Sequence, residues 1–436
     1  MMTKKILLLL TLTVAAFAQE NILSLEDCLK LGIENSSEIK IARSIYSASE
    51  EKVTEVSSRM FPKLSFGAGY SYLHIIEPEV LGSIPSSSIS IKNPFYSYGL
   101  NLSLQVPIFT GFQLSSLKSS ADWHNKAMGT DLEKAMNQKA LAIHTAFWNL
   151  FKVKKISELT RQFLSLLKLK LKDTKEFLAN GLVTRNDILK IEVELAKAEL
   201  TLIDNNNTEK IARALLNREV GLPLDNQTDI TTIEDIDTSL SFSYDELVKE
   251  ALSNRFELKT IDYLIEAGKE NIAAANSGWW PKLYGVGTFY YQKLNAKTFS
   301  IQDQTTKSWF LGLNLSWDLW DWGYTSSKSS QAKEQLLQSK EKRKLLSEQV
   351  ELEVYNAYLS VISEKQKISL SKIAVESAKE NYRLTEDKYN NQLETSTELI
   401  NAQTELVEAK EKLMISIADY KLAITKLKMT TGKKIF

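Results

Sequence analysis

The chain has 436 residues, 43% hydrophobic and 25% charged, with 54 basic and 54 acidic side chains. That length suffices for one large or two average domains, and the balanced charge lacks the basic footprint that nucleic-acid binding requires. A single cysteine, Cys28, excludes an internal disulfide, so packing or assembly must hold the folded chain together.

Residues 1–18 read as a secretory signal peptide. Lys4 and Lys5 precede an apolar run over 6–17, and the small-x-small triplet Ala16-Phe17-Ala18 comes before Gln19. Without Lys4 and Lys5 the basic count falls from 54 to 52 against 54 acids, a net charge of −2. Cys28 lies beyond the cleavage point, not at it, and reads as a small buried residue on a helix rather than a lipidation site. After the signal, no apolar stretch approaches the ~20 residues of a transmembrane helix.

A first unit, 19–225, then opens with a helix. Two strands follow at 64–72 and 98–108. In the second, Leu100, Leu102, Leu104, Val106 and Ile108 alternate with Asn101, Ser103 and Gln105. Period two marks one apolar and one polar face, and about ten residues is the length of a tilted transmembrane β-strand. Between these strands, 73–95 carries three prolines and a serine run, which suits an exposed loop. Helix breakers then vanish. Between Gly111 and Gly181 stand only Gly129 and no proline, so one helix over about 113–178 would run ~100 Å at 1.5 Å per residue. A turn near 181 leads into a returning helix. There Ile188, Ile191, Leu195, Ala198 and Leu202, spaced 3, 4, 3, 4, form a coiled-coil seam.

After a linker at 226–242 the pattern repeats over 243–436. Ser24-Leu25-Glu26-Asp27 reappears as Ser243-Tyr244-Asp245-Glu246, and Pro62-Lys63-Leu64 as Pro281-Lys282-Leu283, both at a spacing of 219. Further along the spacing falls to 211, with Leu100, Leu102 and Leu104 matching Leu311, Leu313 and Leu315. Strands are expected at 283–291 and 309–319, the latter because Trp317 and Leu319 continue the alternation. No glycine or proline lies between Tyr324 and Thr431. The second hairpin turn falls near 391, and its returning seam runs Leu399, Ala402, Leu406, Ala409, Leu413. Duplication at this scale sets the fold.

Aromatics crowd the strand ends: Phe61, Tyr70, Tyr72, Tyr96 and Tyr98 in one unit, Trp279, Trp280, Tyr290, Tyr291, Trp320 and Trp322 in the other. Membrane-interface girdles have this distribution. Four strands cannot close a membrane barrel, and open edges in hydrocarbon cost several kcal/mol per unpaired group, so other copies must complete it. No chemistry competes with this reading. His74, His124 and His144 are scattered and give no metal-ligand spacing. Neither a phosphate loop nor a nucleophile elbow is present. No enzyme, cofactor or metal is expected.

The order of signal, helix, two strands and long hairpin, given twice, resembles the TolC family of outer-membrane efflux proteins. Leu25-Glu26-Asp27-Cys28-Leu29 with Asn35, Phe61-Pro62-Lys63-Leu64, Pro107-Ile108-Phe109-Thr110-Gly111 and Asn180-Gly181-Leu182-Val183-Thr184 carry the likeness. It implies a mainly α chain with membrane β, assembled as a homotrimer: a 12-stranded barrel in the outer membrane above a helical tunnel in the periplasm. It also implies a channel of a tripartite efflux or type I secretion system, joined through a periplasmic adaptor to an inner-membrane pump or ABC transporter. Asn180, Gly181, Leu182, Val183 and Thr184 would then form one adaptor-contacting tip, and Asn391, Gln392, Leu393, Glu394 and Thr395 the other. Gln392 stands where glycine is usual, so a left-handed turn there would rely on Asn390 or Asn391. Tyr389, Glu398 and Asn401 match positions that narrow the family's entrance. Two alternatives remain open from the residues alone, a periplasmic adaptor and a soluble coiled-coil scaffold.

Overall fold

The computed structural model describes residues 22–73, 95–231, 243–295, 304–391 and 393–436. The signal peptide, His74, most of the two loops between paired strands, most of the linker, and Gln392 lie outside the described residues.

In chain order the elements are β1 (Ile22–Leu23), α1 (Leu25–Asn35), α2 (Ser37–Ser58), β2 (Lys63–Leu73), β3 (Phe95–Phe109), α3 (Gln113–Ala179), α4 (Arg185–Val220) and β4 (Asp229–Ile230). The second repeat supplies α5 (Tyr244–Asn254), α6 (Phe256–Ala275), a 3-10 turn (Asn276–Trp279), β5 (Lys282–Asn295), β6 (Gln304–Ser316), α7 (Tyr324–Asn390) and α8 (Ser396–Thr430). Both α3 and α7 have 67 residues, about 100 Å each.

The opening helix of each repeat is divided, against the expectation of a single helix. Ser36 (φ −60°, ψ 122°) and Arg255 (φ −56°, ψ 129°) both leave the helical conformation, and the interrupted turns are satisfied by N–H donation from Ser36 to Gly32 O and from Arg255 to Ala251 O. The Ser24 N-cap closes a capping box with Asp27, whose carboxylate accepts from the Ser24 N–H at 3.1 Å and hydroxyl at 2.6 Å. These bonds hold the Asp27 carboxyl below its ordinary range.

By contact the chain falls into two units, each drawn from both repeats: 1–42, 132–256 and 347–436 in the first, 43–131 and 257–346 in the second. The first unit is helical, apart from the parallel pairing of β1 with β4. Its core gathers Cys28, Ile143, Phe147, Leu150, Leu216 and Val220. The expected seams are where the chain buries itself. Ile188, Ile191 and Ala198 on α4 are buried, as are Leu399, Ala402, Leu406 and Ala409 on α8. Cys28 is fully buried, and desolvation pushes its thiol up to about 12.

The second unit carries an antiparallel sheet in the order β2-β3-β5-β6. Leu102 pairs with Phe66 on one side and Phe289 on the other, and Leu313 pairs with Gly285. Because side chains alternate at period two, this register stacks apolar upon apolar across four strands. One face therefore holds Leu64, Phe66, Leu100, Leu102, Leu104, Phe289, Leu311, Leu313 and Leu315, all exposed in the single chain. The other presents Ser65, Asn101, Ser103, Gln105, Thr288 and Asn314. β6 ends at Ser316, three residues before the expected 319, because its partner β5 begins only at Lys282. Pro281 before it has no N–H to pair, and the chain preceding it is the 3-10 turn.

Candidate functional site

Two regions of the chain present groups to something outside it. The first is the apolar face of the sheet. Large exposed apolar side chains gathered on one side of a soluble chain would be an aggregation liability, whereas a lipid-facing sheet needs them. One end of that face is rimmed by tyrosines: Tyr96 packs against Tyr72 at 5.2 Å and against Tyr70 at 6.2 Å between ring centroids. Among the described residues, β2 and β6 each pair on one side only, which leaves a row of backbone donors and acceptors along both edges. No helix among the described residues is long and apolar enough to cross a membrane.

The second region is the pair of hairpin turns in the first unit. At the first, α3 ends in a Schellman motif: the Leu182 N–H donates to Phe177 O and the Gly181 N–H to Leu178 O, both at 2.9 Å. Gly181 holds φ +72°, the left-handed region. Asn180 Nδ2 returns to Glu176 O at 2.9 Å. Thr184 then caps α4, and the Asp187 carboxylate accepts from its N–H at 2.9 Å and its hydroxyl at 2.7 Å. Those bonds hold the Asp187 carboxyl below its ordinary range. Leu182 is exposed and Val183 half-buried.

The described residues of the second turn repeat part of this bonding. The Leu393 N–H donates to Lys388 O at 2.9 Å across the same span, and Asn391 Nδ2 returns to Asp387 O at 2.8 Å. Thr395 caps α8 by accepting from the Glu398 N–H at 3.3 Å. Neither Asn390 nor Asn391 adopts positive φ, which corrects the expectation that an asparagine would take the left-handed position. Asn391 corresponds to Asn180, the residue before the left-handed one, and its amide caps the helix end instead. Glu394 is half-buried beside Lys388, with 3.7 Å between the charged atoms.

The three entrance residues are not brought together. Glu398 and Asn401 are exposed on α8 and line one side of a cavity of about 680 Å³, with Lys190 and Glu194 of α4 opposite. Tyr389 instead turns into α3 and is 7% exposed. Its hydroxyl meets Thr174 Oγ1 at 3.3 Å and its ring lies 6.4 Å from that of Phe177. Lys170 stands 6.0 Å above the same ring and pairs with Glu386 at 3.3 Å. Two cross-links between the hairpins were not anticipated. Ser396 Oγ donates to Asp187 Oδ1 at 3.2 Å and Lys190 Nζ to Thr397 Oγ1 at 3.0 Å. Both join α4 to α8 across more than two hundred residues of sequence, and a single chain gives no local signal for such pairs. No group of three or more His, Cys, Asp or Glu residues among the described ones is arranged to hold a metal ion.

Residues 247–433 match the sequence model of the outer membrane efflux protein family. No curated protein sequence matches the chain. Several solved structures share its fold at low identity. The outer membrane protein VceC of Vibrio cholerae is 15% identical, with 94% of this chain and 97% of that one covered and a TM-score of 0.75. The CmeC outer membrane channel of Campylobacter jejuni is 14% identical, covering 94% and 85%, with a TM-score of 0.79. The open state of the Neisseria gonorrhoeae MtrE outer membrane channel is 14% identical, covering 94% and 89%, with a TM-score of 0.73.

Proposed function

We propose that this chain, whose second repeat is an outer membrane efflux protein domain of TolC-like fold, is the outer-membrane channel of a tripartite efflux or type I secretion system. The sheet register carries the reading. Four antiparallel strands share one continuous apolar face, while among the described residues both edges lack a partner on one side. In lipid such edges are tolerated only if they pair with further strands until the sheet closes. Three copies give twelve strands, within the range of bacterial barrels, which start at about eight. A periplasmic adaptor or a soluble scaffold has no use for the apolar face.

In this reading substrate passes from an inner-membrane pump through a periplasmic adaptor into the tube, and the chain itself performs no catalysis. The two turns, at Asn180 to Thr184 and at Asn391 to Thr395, meet the adaptor through exposed Leu182 and Leu393. Three Glu398 side chains line the aperture with Asn401 beside them, a ring that favours cations. Tyr389 acts as a latch that holds the end of α7 against α3, and opening breaks its contact with Thr174.

Single-channel recording of the purified assembly in a planar bilayer tests both levels. A cation-preferring pore is expected, with the preference and divalent block reduced in Glu398→Gln. Unchanged preference and block in Glu398→Gln would remove the ring while leaving the channel. Absence of any conductance would remove the channel.

A further inference from the structure

The strand-to-helix turns of the two repeats share an unusual backbone. Thr110-Gly111-Phe112 and Asp321-Trp322-Gly323 correspond at a spacing of 211. In both, two successive residues sit in the left-handed region: Gly111 at φ +61° and Phe112 at +67°, Trp322 at +54° and Gly323 at +84°. Such a turn suits glycine at both positions. Each repeat uses one glycine and one bulky aromatic, and Phe112 and Trp322 are the only non-glycine residues with positive φ among the described ones.

Steric room decides which position keeps glycine in the first repeat. A Cβ on Gly111 would lie 2.7 Å from both Ser277 O and Trp280 Cβ, so the aromatic stands at the next position. In the second repeat the aromatic takes the first position, and Gly323 has nothing within 4 Å of its missing Cβ. Both turns are over-determined by their caps. Asp321 accepts from the Gly323 N–H at 3.0 Å and the Thr325 N–H at 2.8 Å. Thr110 Oγ1 accepts from the Leu114 N–H at 3.4 Å.

A strained conformation held by its surroundings points to a use for the side chain it displays. Neither aromatic fills a core. Trp322 is 89% exposed and Phe112 56%. Each has an aromatic companion: Trp320 at 5.8 Å from Trp322, and Trp280 at 5.8 Å and Phe109 at 5.3 Å from Phe112, all near perpendicular. Trp279 and Trp280 are half exposed beside them, and the Trp317 indole N–H donates to Trp279 O at 3.3 Å. This band lies at the helix end of the sheet, opposite the tyrosine rim at the loop end.

We infer that Phe112 and Trp322 are strained interfacial anchors, displayed by paired left-handed turns so that their rings sit in the headgroup region of the periplasmic leaflet. The inference rests on the outer-membrane reading above. Aromatic rings prefer that depth because one part of the surroundings is apolar and the other wet. Phe112 and Trp322 set the depth at which sheet gives way to helix, so strand length alone does not determine it. A substitution by glycine separates this role from ordinary packing, because glycine relieves the backbone and removes only the ring.

The test uses the full chain in phosphatidylethanolamine–phosphatidylglycerol vesicles doped with phosphatidylcholine brominated either near the headgroup or near the chain end. Trp309 of β6 pairs with Phe289 on the apolar face and is exposed, so it is the mid-strand reference. Trp322→Phe and Trp309→Phe each remove one indole, and the difference from the parent reports its quenching. Trp322 is expected to be quenched by the shallow bromines at least severalfold more than by the deep ones. Phe112→Gly and Trp322→Gly are expected to resist heat at least as well as the parent in detergent, yet to insert into vesicles severalfold less completely. Quenching of Trp309 but not of Trp322 would overturn the anchor, a second copy then covering the ring, and would leave the channel reading intact. Preferential deep quenching of Trp322, or glycine variants that insert like the parent, would overturn it as well. Quenching of neither tryptophan would overturn the outer-membrane reading together with the anchor.

Discussion

Leu102→Arg places a guanidinium at the centre of β3, which runs Phe95–Phe109, on the face shared with Phe66 and Phe289. Seven residues of strand lie on either side, so in the proposed barrel the substitution falls near the bilayer midplane. An arginine facing lipid there costs ~2–4 kcal/mol per chain, which is roughly a 30- to 700-fold shift in the folding equilibrium at about 1.4 kcal/mol per tenfold. Asn101→Arg adds the same charge one residue away, on the opposite face, which in the proposed barrel meets a water-filled lumen, and there it costs less than ~0.5 kcal/mol. Urea titration of refolding into vesicles at fixed protein concentration, followed by tryptophan fluorescence and heat-modifiability on gels, measures the difference. The expected order is parent close to Asn101→Arg, with Leu102→Arg far weaker. Equal loss from both variants would refute the facing of the sheet, and with it the argument from register.

Four further outcomes are expected. Gly181→Ala meets no steric obstacle, so it pays only for its left-handed φ, ~1–2 kcal/mol; hydrogen exchange at the first turn should rise, and unchanged protection would contradict the Schellman geometry. Tyr389→Phe removes the contact with Thr174 while the Thr174 hydroxyl keeps its bond to Lys170 O at 2.8 Å. It should therefore weaken the closed state by the lower part of ~0.5–1.5 kcal/mol, seen as more frequent channel opening, and an unaltered open probability would remove the latch. Asp187 has a lowered folded-state pKa through its bonds to Thr184, so its contribution is present above the ordinary carboxylate pKa and lost as pH falls through the folded value. Acid should accordingly fray the start of α4 in the parent but not add to the fraying in Asp187→Asn, as limited proteolysis across a pH series would reveal. Cys28, fully buried with its thiol raised to about 12, should resist maleimide in the folded protein at neutral pH and react once unfolded; rapid native labelling would contradict its burial.

Periodicity made the scaffold readable. The 3, 4, 3, 4 spacing on α4 and α8 marked residues that are buried, because only a narrow seam of each helix touches another. Period two was clean in the second strand of each repeat, at Leu100 to Ile108 and Leu311 to Leu319, and weaker in the Gly- and Tyr-rich first strands. It failed at the end of β6, where Trp317 and Leu319 keep alternating after the neighbour has turned away at Pro281; alternation reports side-chain environment, whereas a strand also needs a partner. The breaks at Ser36 and Arg255 carry no glycine or proline and were invisible for that reason. At the tips, the Gly181 turn was legible because φ > 0 selects glycine. Its second counterpart was not legible, because asparagine both tolerates a left-handed backbone and caps a preceding turn through its side chain, and Asn391 does the latter. The cross-links of Asp187 to Ser396 and Lys190 to Thr397 join the repeats in space and had no sequence signature. Phe112 and Trp322 were the least legible of all, since nothing in a bulky aromatic announces a left-handed backbone.

The central claim is that unpartnered strand edges force copies of this chain to close a barrel in the outer membrane. Its most direct test is the mass of the species extracted by mild detergent from the outer-membrane fraction, measured on intact particles. The account expects a particle of three chains that falls apart only on heating. A monomer, or a chain recovered in the soluble periplasmic fraction, would contradict it.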